Sequence, residues 1–409
     1  MQFKIKLLFI VIFTFGLYSL KAQTSIEGVL TDSSTNEPIA YANIYLKTVS
    51  SIGVASNELG EFSLNIPSNL ENDTICLSAI GYNTKFVPVS NLIGRIYDKT
   101  FTLISSIYLI ESVSVSAPSE YAKNLVTEAV ELIQKNYNKK RHILSGIFRE
   151  ISIDDTLNIN IAEADIRILD QGTGKSADRI RIAINKLRRN DDNRHPYLKS
   201  KGFQSVGKML KKSNEIYNIY GYNFFKKLDG DIQWFDENFI AKRNFYLKGN
   251  YVDNGDTILI INFAAKSNKI FFHEGGFIYI NKQDRAIVKI EYSNSFSPND
   301  RFYRLQTFFK YTDGLYYPRI IKKENLFPNN LFSQSLIAII YVSDKREEFK
   351  SFRKMEKTTR TESIYDLKYN YDEEFWNNYA AIQLLPIDEW QKLNSEKLKN
   401  IDSQFKNPK

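Results

Sequence analysis

The chain reads as mainly β with two cores, and three observations predict it. Strict alternation of apolar and polar residues fills the stretch from Gly28 to Pro67 and returns in a series of runs after Gly146. Turn dipeptides such as Asn254-Gly255 and Asp313-Gly314 separate neighbouring runs, which makes the strands sequential and mostly antiparallel. The chain also holds 28 Phe and 25 Tyr in 409 residues, a composition suited to sheets rather than to a helical bundle. That length exceeds one small sandwich and is enough for two domains. No repeat of a fixed period recurs along it.

Met1 to Ala22 carries Lys4 and Lys6, then an apolar run from Leu7 to Tyr18, then Leu20-Lys21-Ala22. This pattern predicts a secretory signal cleaved after Ala22, too short in its apolar part for a membrane span. No cysteine follows the run to carry a lipid anchor. The single cysteine, Cys76, falls in a predicted strand and reads as a small buried hydrophobe.

From Gly28 onward, Ala42, Ile44 and Leu46 alternate with Asn43, Tyr45 and Lys47, and Phe62, Leu64 and Ile66 alternate with Glu61, Ser63 and Asn65. Between these strands Asn57-Glu58-Leu59-Gly60 supplies a turn. Its Asn57 side chain bonds the backbone two residues on, and Gly60 takes positive φ. Asn36-Glu37-Pro38 is a second break. Gly28-Val29-Leu30-Thr31-Asp32, Glu37-Pro38-Ile39, Ala42-Asn43-Ile44, Gly60-Glu61-Phe62 and Ile80-Gly81-Tyr82 together resemble the carboxypeptidase regulatory-like domain over residues 24–115. The resemblance implies a transthyretin-like seven-stranded β-sandwich, a fold widespread at the start of Bacteroidetes envelope proteins and TonB-dependent receptors. Where that family has Asp in the turn, this chain has Asn57, which makes the same local bond. A sandwich of this kind serves many unrelated hosts and by itself assigns no activity.

Ser112 to Ala117 reads as a last strand, ended by Pro118-Ser119. The period then changes: Ala122, Leu125, Val126, Ala129, Val130, Ile133 and Tyr137 fall on one helical face, which predicts an amphipathic linking helix. Strands follow at Ile147–Ile151, Leu157–Ile168, Ile180–Ile184, Phe245–Lys248, Thr257–Phe263, Phe277–Ile280, Ala286–Tyr292, Phe302–Tyr311, Leu315–Lys322 and Ser335–Val342. The apolar phase slips within Leu157–Ile168, which predicts a bulge near Ala162-Glu163. A polar, basic, partly helical insertion at 186–240 (Lys186 to His195, then Val206 to Lys212) interrupts the strands. Short helices are expected at Glu373–Tyr379 and Ile387–Lys399, with disorder from Ser403. Gly146-Ile147-Phe148-Arg149-Glu150, Glu163-Ala164, the hairpin Gly276–Ile280 to Ile287–Ile290, and Phe375-Trp376 resemble the C-terminal region of a Bacteroidetes envelope family. That likeness implies a curved antiparallel sheet, similar to the open half-barrel of lipoprotein carriers. The expected domains are a signal peptide at 1–22, a sandwich at 23–117, a linking helix at 118–140, a curved sheet at 141–370 and helices with a tail at 371–409.

Catalytic patterns are few. The three histidines, His142, His195 and His273, sit in separate elements, and His273-Glu274 continues as Gly275-Gly276-Phe277 rather than as a zinc motif. Asp170-Gln171-Gly172-Thr173-Gly174-Lys175-Ser176 ends like a phosphate loop, but Leu169 stands where the leading glycine belongs, so it reads as a glycine-rich turn. Ser205 lacks the spacing of a nucleophile elbow. The basic run Lys208 to Lys212, with Tyr217, Tyr220, Tyr222, Phe224 and Phe225 after it, reads as packing or one wall of an apolar cleft. Neither a catalytic residue nor a metal or cofactor site is expected. Arg149, Glu150 and Glu163 are the polar residues singled out, because their strands should line the curved sheet, and a buried structural ion pair is the expected arrangement.

The net charge is +8, and the first 22 residues hold three of the lysines and no acid, so +5 remains after them. Residues 23–110 hold eight acids and four bases, −4, which leaves +9 on the rest. Such a basic part suits an anionic surface or simply a solvated face. The sequence therefore predicts an exported, periplasmic or outer-membrane-associated protein that binds or assembles with an envelope partner, without nucleic acid and without a membrane span. A second reading is a carrier of a lipid or other hydrophobic ligand in the concave sheet, and a third is an unrecognised hydrolase.

Overall fold

The computed structural model describes residues 24–49, 52–57, 59–94, 99–106, 108–109, 118–154, 159–221, 224–225, 227–228, 232–233, 235–253, 255–266, 273–295, 301–311, 313–327, 332–343 and 346–378. The proposed signal, the strand at Ser112–Ala117, Tyr222, the second C-terminal helix and the tail lie outside the described residues. The chain divides into two compact units, one built on residues up to Ala79 with Thr84–Ile104, and one on Ile80–Asn83 with Ser105–Tyr379.

The first unit holds β1 (Thr24–Asp32), β2 (Asn43–Leu46), β3 (Gly53–Ala55), β4 (Glu61–Ile66), β5 (Thr74–Ser78), β6 (Lys85–Pro88) and β7 (Thr100–Leu103). They form two sheets, β4-β1-β7 and β3-β2-β5-β6, with β1 parallel to β7. The predicted alternation is realised: Ile44, Leu46, Phe62, Leu64 and Ile66 are all buried. Cys76 is buried in β5, where desolvation raises its thiol pKa. The turn before β4 is held as expected, since Asn57 Oδ1 accepts from the amides of Leu59 and Glu61 at 2.9 Å each. Gly60 has φ +74°, and a Cβ there would stand 2.3 Å from the carbonyl oxygen of Leu30. Only glycine fits this position.

The second unit is dominated by one large curved antiparallel sheet that is not closed into a barrel. Its strands are β8 (Tyr108–Leu109), β9 (His142–Asp154), β10 (Ile159–Asp170), β11 (Arg181–Arg189), β14 (Arg243–Asp253), β15 (Asp256–Ala265), β16 (His273–Asn281), β17 (Ile287–Ser295), β18 (Arg301–Lys310), β19 (Tyr316–Leu326), β20 (Phe332–Ser343) and β21 (Lys357–Thr358). The order is β21-β11-β10-β9-β20-β19-β18-β17-β16-β15-β14-β8. A separate hairpin joins β12 (Lys227–Leu228) to β13 (Ile232–Gln233). All ten sequence-predicted strands of this region fall on observed ones, with ends that differ by a few residues.

Two local expectations are corrected. Lys186 to Arg189 is not helical; it is the end of β11, paired with Ala162 to Asp165, and the helix begins only at Arg194. The ladder hydrogen bonds offered by β10 override the polar, helix-compatible composition of that stretch. The slipped apolar phase of β10 is also not a bulge at Ala162-Glu163, because β10 pairs with β9 without a break from Ile159 to Asp170. Ile161, Ala162 and Ala164 are all buried, so this strand is covered on both faces and needs no single apolar phase. The register shift lies instead opposite Asp165 and Ile166, where Asn185 of β11 is the extra residue.

Helices cover one face of the sheet along most of its width. On the other face the helix Arg346–Lys354 packs Phe352 on Ile143, Leu169 and Ala183 at one end, and Ile80 packs on Tyr251, Ile258 and Ile260 at the other. The helix Glu120–Glu131 is capped by Ser119, whose side chain accepts from the amide of Ala122, and it buries Ala122, Leu125, Val126 and Ala129, the face predicted from spacing. These pack with Phe224, Phe225, Phe235, Phe239, Phe245, Ile261, Phe263 and Ile278 in one core cluster. The helix Glu215–Gly221, which the sequence reading took only as an aromatic run, packs Ile216, Tyr217, Ile219 and Tyr220 against Phe148, Ala164, Ile166 and Leu336 in a second.

Candidate functional site

Pairing registers place ten side chains in one row across the opposite face. The row runs Tyr246, Asn262, Phe277, Glu291, Leu305, Lys322, Ile337, Arg149, Glu163, Arg188, each directly beside the next on the neighbouring strand. Because side chains alternate along a strand, this row shares none of its members with the helix-covered clusters. Ile337, Arg149 and Glu163 are buried, Arg188 is largely so, and from β14 to β19 the row is partly exposed.

Arg149 and Glu163 meet in the buried part. Arg149 Nε donates to Glu163 Oε1 at 2.7 Å, and Arg188 Nε donates to Glu163 Oε2 at 2.5 Å. Trp376 of the helix Glu373–Asn378 lies under the Arg188 guanidinium at 4.5 Å, and Lys186 is ion-paired with Asp372. Each carboxylate oxygen of Glu163 thus has a cationic donor.

Glu150 is not part of this group. One residue beyond Arg149, it points to the other face, where Arg194 donates to its Oε1 together with Gln334 Nε2 at 3.0 Å and Ser152 Oγ at 3.1 Å. Arg194 also holds Asp192, Nε to Oδ1 at 2.8 Å, and stacks on Tyr365 at 4.3 Å. Burial pushes the Glu150 carboxyl above its ordinary value despite Arg194, and the charges of Glu215 and Asp192 add to the rise. Its Oε2 and the Tyr365 hydroxyl are buried without a hydrogen-bond partner. The three singled-out residues therefore fall into two charged clusters on opposite faces. The partners Arg188 and Arg194 were not predicted, because only the register and the insertion bring them there.

A hollow lies on the partly exposed stretch of the row. It has a volume of about 430 Å³ and is lined by Asn262, Ala264, Gly275, Phe277, Glu291, Ser293 and Tyr303, with Phe263, Glu274, Gly276 and Tyr292 between them. Ala264, Gly275 and Ser293 are register neighbours on β15, β16 and β17, so three small side chains form its floor. Beneath, Gly276 lies between Phe263 and Tyr292, whose rings stack with centroids 6.4 Å apart. A Cβ on Gly276 would come 1.9 Å from the Glu291 carbonyl oxygen.

Among the described residues no group of three or more His, Cys, Asp or Glu is arranged to hold a metal ion. His142 packs edge-on to Tyr317, His195 lies in the helix Arg194–Ser200 and His273 opens β16. The glycine-rich stretch after β10 is a tight turn, with Gly172 at φ +102° and its amide bonded to Asp170. No helix among the described residues is long and apolar enough to cross a membrane.

Residues 26–115 match the CarboxypepD_reg-like domain. No curated protein matches the chain. Among solved structures, a DUF1329 family protein from Desulfovibrio piger is 9% identical with TM-score 0.25, covering 55% of this chain and 93% of its own. A LolA superfamily protein from Nitrosomonas europaea is 10% identical with TM-score 0.24, covering 56% and 96%. At these scores the likeness assigns no function to the present chain.

Proposed function

We propose that this chain is a non-catalytic binding or assembly protein of a bacterial cell envelope, exported by its N-terminal segment, and that the uncovered face of the large sheet, the open stretch from β15 to β18 between its two covered ends, is its binding surface. One observation carries the reading: the two faces differ. Among the described residues the covered face is packed with aromatic rings where a carrier would be hollow. Phe224 and Phe235 lie 5.8 Å apart, Phe225 and Phe308 4.7 Å, and Phe235 and Phe239 4.4 Å. A cavity on that side, lined by Tyr137, Phe225, Phe308 and Tyr316, has about 20 Å³, room for one water and not for an acyl chain. The uncovered face has the partly exposed aromatic and charged groups and the larger cleft, the composition of a contact surface. This favours binding at a surface over carriage of a lipid inside the sheet. The CarboxypepD_reg-like domain supplies a second, independent module for assembly.

A photo-cross-linking residue placed at Phe277 or Tyr303, on the uncovered face, tests the proposal in the native envelope. Adducts at both positions, and none at the exposed Met209 on the helix Gln204–Lys211, are expected. Equal labelling at all three positions, or none at Phe277 and Tyr303, would contradict it.

A further inference from the structure

We propose that the cleft over Ala264, Gly275 and Ser293 binds a neutral saccharide. This inference rests on the reading of the uncovered face as the binding surface and names what that surface takes. Three observations carry it.

The first is shape. Small side chains at three register-matched positions leave a hollow of about 430 Å³, within the range of small-ligand sites, and it opens outward rather than into the core. Phe277, two residues along β16 from Gly275, bounds one side, and Tyr303, paired with Ser293 on β18, bounds the other. The site is a shallow floor edged by an aromatic ring along the strand and another across the sheet.

The second is hydrogen bonding. Asn262 Nδ2 donates to the Gly276 carbonyl at 2.9 Å, which fixes the amide and leaves Oδ1 as an acceptor. Glu291 uses Oε1 for both Lys289 and the Tyr279 hydroxyl, the latter at 3.1 Å, so Oε2 remains open. Ser293 adds a hydroxyl. The cleft thus presents acceptors in want of donors. A purely apolar anchor from a protein partner would desolvate Asn262 Oδ1 and Glu291 Oε2 without replacing their hydrogen bonds, which is costly. Hydroxyl groups on an otherwise C–H-faced ring satisfy both the acceptors and the aromatic walls.

The third is charge. Glu291 is already neutralised by Lys289, whose ammonium also lies 4.7 Å from the Tyr279 ring centroid. A cationic ligand would compete with a bound lysine, and an anionic one would meet the open Glu291 oxygen. A neutral donor meets neither obstacle.

The test is titration of the full chain by saturation-transfer NMR with maltose, cellobiose and N,N′-diacetylchitobiose as free saccharides, and with lactosylceramide in phosphatidylcholine vesicles as a neutral saccharide displayed on lipid. Binding to at least one probe is expected, abolished by Ser293→Leu, which fills the floor from a position that already carries a Cβ. Glu291→Gln, nearly isosteric, should weaken it about tenfold, as expected for a hydrogen bond to a charged group. Response to the free sugars identifies a soluble oligosaccharide, and response to the lactosylceramide vesicles but not to plain phosphatidylcholine vesicles or the free sugars identifies a membrane glycan. Absence of binding to every probe, or binding that survives Ser293→Leu in a variant with unchanged circular dichroism, overturns the proposal. Cross-linking of Tyr303 to a protein with no saccharide bound would retain the binding-face reading and discard this one.

Discussion

Glu150 and Arg194 are both buried, and each depends on the other to avoid an isolated charge. Removing one partner of such a pair costs roughly 3–5 kcal/mol, because the other is left uncompensated, whereas replacing both with apolar residues costs far less. Arg194→Leu should therefore lower unfolding free energy by about that amount in urea titration, and Glu150→Leu added to it should restore most of the loss. The pair also sets a pH dependence. Burial first, opposed by Arg194 and aided by Glu215 and Asp192, raises the Glu150 carboxyl above 4.5, while Gln334 and Ser152 donate to it. Just above pH 4.5 the folded chain keeps a proton that the unfolded chain has released, so this group's contribution to stability falls as pH rises through that window. Asp192 works in the opposite sense: burial alone would raise it, but Arg194 holds it below 3.8, so its contribution is lost only on further acidification. Glu150→Gln should remove the decline above pH 4.5, measured as the denaturant midpoint between pH 4.5 and 7; an unchanged slope would contradict the assignment. In the sequence, Arg149, Glu150 and Glu163 were visible as charges inside strands. Their partners were not, since Arg188 and Arg194 lie 25 and 44 residues from the carboxylates they bind.

Elements were legible wherever a single face is buried. The helix Glu120–Glu131 repeats its apolar residues at helical spacing and is docked by them, so Leu125→Ala should cost about 2–5 kcal/mol and Ser119→Ala about 1 kcal/mol of stability, both read from thermal or urea unfolding. Legibility failed where both faces are buried or where tertiary pairing decides. Residues Lys186 to Arg189 look like a solvated basic helix, yet β10 and the flanking Phe375, Trp376 and Tyr369 cover their long side chains. The helix Glu215–Gly221 is too short for its periodicity to be read. The cleft was illegible for a related reason: Ala264, Gly275 and Ser293 become neighbours only once β15, β16 and β17 are in register. Gly276, one residue along, should tolerate no side chain. Gly276→Ala drives a Cβ into the Glu291 backbone, and loss of cooperative unfolding is the expected result.

At the scale of the whole chain, the prediction of two β-rich parts follows from alternation and length, and the structure contains two compact units. The sheet order could be anticipated in part, because consecutive strands pair with each other from β14 to β20. The return of β20 to β9 joins residues more than 170 apart in the sequence, and no local signal announces it. That closing pair creates the single continuous sheet, and with it the distinction between a helix-packed face and one left open over its middle strands. The distinction separates surface binding from carriage. It is tested most directly by mass spectrometry of an organic extract of the protein purified from its native envelope without detergent. No lipid at stoichiometric level is predicted; one lipid species recovered at near one-to-one ratio would contradict the filled face and make the protein a carrier.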